Sequence, residues 1–107
     1  MKLYHIGRKF KFFWQRLVRG FDDSETWNLD HSLAKLIAPR LRRFKEISNS
    51  SPVDLELVDW HKQLDQMIES LEFIGSSKYW GASPEELQKH QENFEILFAR
   101  NYFKLWW

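Results

Sequence analysis

Leu57-Val58-Asp59-Trp60-His61-Lys62-Gln63-Leu64-Asp65-Gln66-Met67-Ile68-Glu69-Ser70-Leu71 is the stretch that decides the fold. Leu57, Trp60, Leu64, Met67, Ile68 and Leu71 recur at steps of three and four, the period of one helical face. Asp65, Glu69 and Glu72 run along the flank as a solvated edge. The spacing predicts a helix from about Leu55 to Ile74, stopped by Gly75, Ser76 and Ser77. Downstream, Ser83-Pro84-Glu85-Glu86 joins an N-cap serine, a proline at the first helical position and acids in the first turn. It starts a further helix that turns Leu87, Gln91, Phe94, Leu97, Phe98 and Leu105 inward.

Upstream, the polar loop Ser48-Asn49-Ser50-Ser51-Pro52 separates the central helix from one that places Trp27, Leu33 or Ala34, Ile37, Leu41 and Phe44 inward. Pro39 falls within that pattern and removes a backbone donor, so a kink is expected between Leu36 and Pro39 of one continuing helix. Nearer the N-terminus, Phe10, Phe13, Trp14 and Leu17 share one face of a first helix and are expected to join the core, with Lys9, Lys11 and Arg16 pointing elsewhere. Gly20 ends it, and Asp22 with Glu25 has the spacing of a capping box. Strand-like alternation is absent. Short connections favour antiparallel neighbours, so the expected architecture is all-α: residues 1–107 as one domain, a four-helix up-down bundle.

Composition adds a constraint. With 107 residues the chain has one modest core, yet it carries six Trp, nine Phe and three Tyr. That is more ring surface than such a core encloses, which points to a homo-oligomer or a ring-lined ligand site. Tyr102, Phe103, Leu105, Trp106 and Trp107 concentrate the excess and suit a self-association surface or a docking site for a host protein. The absence of Cys removes disulfides, thiolate metal sites and Cys nucleophiles. No apolar run approaches the ~18 residues of a membrane span, and Arg8, Lys9 and Lys11 interrupt any signal-peptide pattern.

A net charge of +1 conceals a block layout. Lys2, Arg8, Lys9, Lys11, Arg16 and Arg19 form a first basic block, and Lys35, Arg40, Arg42, Arg43 and Lys45 a second, with Asp22, Asp23, Glu25 and Asp30 between them. If the first two helices are antiparallel, Arg40, Arg42, Arg43 and Lys45 stand beside Lys2, His5, Arg8 and Lys9 at one basic pole. Arg8, Lys9, Lys11, Arg40, Arg42 and Arg43 are then the candidate ligands for an anion, with Trp14 or Tyr4 stacking on a flat ligand. The plainer reading is a solvated face on two ordinary helices. At the opposite pole Arg16 and Arg19 are expected to meet Asp22, Asp23 and Glu25. Asp30 is expected to pair with Arg16 or Arg19 and set helix register, with His31 as polar surface beside it. No nucleophile stands at a recognisable spacing from His31, and the His at 5, 31, 61 and 90 do not match metal-ligand spacings, so no catalytic residue, cofactor or metal site is expected.

The stretch from Arg19-Gly20-Phe21-Asp22-Asp23-Ser24-Glu25-Thr26-Trp27-Asn28-Leu29-Asp30 into Pro39-Arg40-Leu41 resembles small, largely uncharacterised helical proteins of tailed bacteriophages. The similarity continues through Trp60, Leu64, Asp65, Met67 and Ile68 to Phe98, Tyr102, Phe103, Leu105 and Trp106. It implies a phage origin and expression in the cytoplasm of an infected bacterium, and brings no catalytic residues. With the basic pole, it leads to the expectation of a non-enzymatic protein that sequesters an anionic small molecule such as a cyclic nucleotide immune signal, without a membrane partner. The alternative is a protein-protein adaptor or inhibitor docking on a host enzyme. Nonspecific nucleic-acid binding comes third, because acids and bases nearly balance.

Overall fold

The computed structural model describes residues 2–48, 50–53 and 55–106, with side chains beyond residue 6. Four main helices follow one another: α1 (Lys2–Arg19), α2 (Leu29–Ile47), α3 (Leu57–Ile74) and α4 (Pro84–Asn93). Among the described residues there is no strand. The helical path of α4 continues through a π-helical turn at Phe94–Phe98 and short turns to Lys104. Short 3-10 helices at Asp23–Thr26 and Ser77–Gly81 occupy two of the connections.

From Trp60 on, the apolar stripe of α3 is the centre of the molecule, whereas Leu57, expected to start it, is exposed. Trp60, Leu64, Met67, Ile68 and Leu71 are buried against Ala34, Ala38 and Leu41 of α2 and against Phe98 beyond α4. Gly75, which closes α3, allows a close approach to α2: a Cβ added there would lie 2.9 Å from Lys35 Cγ. Ion pairs Arg42–Glu72 and Lys45–Asp65, both at 2.6 Å, climb α2 as they descend α3, so these helices are antiparallel. Across the next interface Lys89–Glu69 and Asn101–Gln63 show the same antiparallel order for α3 and the α4 path. Pro39 is accommodated within an uninterrupted α2, where it leaves the Lys35 carbonyl without its helical donor.

The position of α1 corrects the expectation of a core helix. Gly20, at φ +85°, ends it in a conformation suited to glycine. The chain then enters the Asp22–Glu25 capping box, which caps the Asp23–Thr26 turn and not α2. Gln15, Arg16 and Arg19 bond to Asp22 and Asp23 of that turn, so α1 is held by its polar side. Phe10, Phe13, Trp14, Leu17 and Val18 face outward, Phe10 at 66 % exposure and Trp14 at 59 %. Trp27, also expected inside, is exposed, with Phe12 of α1 packed on it edge to face at 5.7 Å.

Candidate functional site

Two groups of cations expected to share a pole lie along different parts of the molecule. Arg8 rests over the Trp27 ring at 4.6 Å, and Lys11 Nζ is 3.8 Å from Asp23. Lys9 is exposed. Arg40, Arg42 and Arg43 begin about three turns, ~17 Å, further along α2. There Arg42 pairs with Glu72, Arg43 with Glu46 at 3.2 Å, and Arg40 donates to the Leu36 carbonyl at 2.8 Å. Trp14 stands on the outward face of α1, six residues on from Arg8 and on a different side of the helix. The side chains of Lys2, Tyr4 and His5 lie outside the described residues. The pole at the α1–α2 turn forms as expected, with Arg16 on Asp22 and Arg19 on Asp23, and both carboxylates are held below the usual Asp range. For Asp22 the chief cause is the Ser24 hydroxyl, and for Asp23 the Gln15 amide.

A different feature is the most developed site. Helices α2 and α4 both pack on α3, and between them lies an apolar cleft of about 480 Å³. Leu33, Ala34 and Ile37 form the α2 wall, Leu71, Phe73 and Ile74 the floor, and Leu87 and Phe94 the α4 wall. Leu33, Leu87 and Phe94 remain exposed along its borders. The Ser83 side chain caps α4 by accepting from the Glu86 N–H at 3.2 Å, fixing where the second wall begins.

Polar groups close the ends of this cleft. The Tyr79 hydroxyl donates to Asp30 at 2.6 Å, and Trp80 packs on His31 with ring centres 5.0 Å apart. Asp30 therefore does not pair with Arg16 or Arg19; the capping carboxylates take those partners. Tyr79 lowers the Asp30 pKa, and the carboxylate in turn raises that of Tyr79. His31 is a tie between helices: its Nδ1 lies 2.9 Å from the Ile74 carbonyl, which makes this nitrogen the protonated one. His90 is buried, stacked on Phe73 at 4.2 Å, with Nδ1 2.9 Å from Ser70 Oγ. Burial first, then Lys89, lowers its pKa, with Glu69 and Glu86 opposing. Ser70 and His90 have the atoms of a nucleophile and base, but Ser70 is 1 % exposed and also accepts from the Asn93 amide. Among the described residues no cluster of His and carboxylates is arranged to hold a metal.

A second ring surface follows the cleft. Phe94 stacks on Phe98 at 4.9 Å, Phe98 meets Tyr102 at 5.9 Å, and Tyr102 meets Phe103 at 5.3 Å. Leu105 returns to the core, whereas Phe103 and Trp106 stay open at 85 % and 75 % exposure. Trp107, read with this group, lies outside the described residues. The cleft itself escaped sequence reading because Leu87, Gln91 and Phe94, expected inside, line an open groove and stay exposed. A scan against family models and searches of the curated proteins and the solved structures return no match. No described helix is long and apolar enough to cross a membrane.

Proposed function

We propose that the protein acts without catalysis as a binding module that receives an amphipathic helix of a protein partner. One observation carries this reading: the place where a fourth helix would pack between α2 and α4 is an apolar cleft of about 480 Å³. An amphipathic helix inserts side chains at i, i+3, i+4 and i+7 into such a groove, and the Asp30–Tyr79 pair and Gln91 offer polar contacts to its flanks. This favours the adaptor or inhibitor role acting on a host enzyme, in keeping with the resemblance to phage proteins. Sequestration of a cyclic nucleotide draws less support, because a ligand at Arg42 or Arg43 competes with the ion pairs to Glu72 and Glu46.

A photoreactive phenylalanine analogue placed at Leu87 tests the reading. Irradiation in bacteria expressing the full chain is expected to join the cleft to a polypeptide segment with helical apolar spacing, identified by mass spectrometry. Adducts no different from those of the same analogue at exposed Glu85 would overturn it.

A further inference from the structure

The uncovered face of α1 and the open cleft are complementary surfaces of the same chain. We infer that α1 of one copy seats in the α2–α4 cleft of a second copy, reciprocally, so that each three-helix body gains its fourth helix by exchange. This rests on the reading of the cleft as a helix-receiving groove and names its occupant.

Phe10, Phe13, Trp14 and Leu17 stand at the spacing such a groove takes, and all four are exposed. The chain's own α1 is committed elsewhere. Its polar side is bonded through Gln15, Arg16 and Arg19 to Asp22 and Asp23, and turning it toward its own cleft would break those bonds. A second copy reaches the ring face with every one of them intact. Charge also fits: α1 contains no acid, Lys9 stands one turn from Phe13, and Asp30 borders the cleft.

The area is sufficient. At ~150–250 Å² per ring, the half-exposed Phe10, Phe13 and Trp14 leave roughly 350 Å² of ring surface open per copy. Two such ring faces and the two cleft surfaces they cover come to roughly 1,000 Å², the lower bound for a biological interface. Reciprocal exchange also closes under two-fold symmetry, leaving neither ring face nor cleft unused.

Complementation between full-length variants tests the exchange. One variant carries Phe13→Glu and Trp14→Glu in α1, and the other Leu33→Glu and Leu87→Glu on the cleft borders, all at exposed positions. Light scattering is expected to give twice the 13.1 kDa chain mass for wild type and the chain mass for each variant alone. Their equimolar mixture is expected to recover a dimer, because one intact α1 then meets one intact cleft. A wild-type monomer at tens of micromolar overturns the exchange, as does a dimer that survives the cleft variant while losing to the α1 variant. Should the cleft variant fail to fold, cross-linking from Leu87 in a mixture of isotopically light and heavy protein decides instead. Adducts joining copies at residues 10–17 support the exchange. In expressing bacteria, an adduct from Leu87 on another protein's helix instead of on a second copy overturns it while leaving the cleft reading in place, and no polypeptide adduct overturns both.

Discussion

His90 shows how a single residue becomes sensitive to acid chiefly through packing. Its ring is pressed between Phe73 and the Ser70 hydroxyl, where the charged form loses hydration, so its pKa lies below the ordinary 6.5. When pH falls through the region below about 6.5, the unfolded chain takes up the proton first, and the folded state loses stability. At higher pH that contribution is fully present. The melting temperature should therefore drop between pH 7.5 and 5.5 in wild type, and the drop should be smaller in His90→Gln, which bonds to Ser70 without titrating. Equal drops in the two proteins would show that other groups govern the acid response. Residue-scale contacts were legible in the sequence only where partners are near neighbours. Arg16 finds Asp22 across one turn, whereas His90 reaches Ser70 across 20 residues and Tyr79 reaches Asp30 across 49.

Helices are where the sequence says most, and α1 shows what it leaves open. Capping at Ser83, the stop at Gly20 and the buried stripe of α3 all follow from local chemistry and are present in the fold. Periodicity establishes that α1 has an apolar face, but a stripe contains no information about which surface will cover it. The bonds that decide its orientation come from the opposite, polar side, through carboxylates of a capping box whose spacing was readable. The same limit hid the cleft, since an inward residue and one facing a missing helix obey one period. Paired substitutions measure the difference. Leu64→Ala should cost ~2–5 kcal/mol in urea unfolding, whereas Phe13→Ala, under dilute conditions that keep the chain monomeric, should stay within ~0.5 kcal/mol. A large loss for Phe13→Ala would place that ring in the core of its own chain.

At the scale of the whole molecule, the outlying α1 explains the shape. The chain extends 56 × 34 × 18 Å with a radius of gyration of 17.1 Å, against ~13 Å expected for a compact domain of this length. A core without any described α1 side chain means that separating the described part of this helix from the turn leaves the buried Trp60 and Leu64 undisturbed. Amide hydrogen exchange should therefore be at least ~100-fold slower in α3 than in α1 under native conditions, a gap set by their different opening free energies. Comparable protection throughout would show that the chain opens as one unit. The polar attachment of α1 consequently separates two clocks. An exchange gap of that size would let the helix release and recover many times during one lifetime of the α2–α4 body, so that a partner capturing it meets a rapidly renewed conformation on a long-lived support.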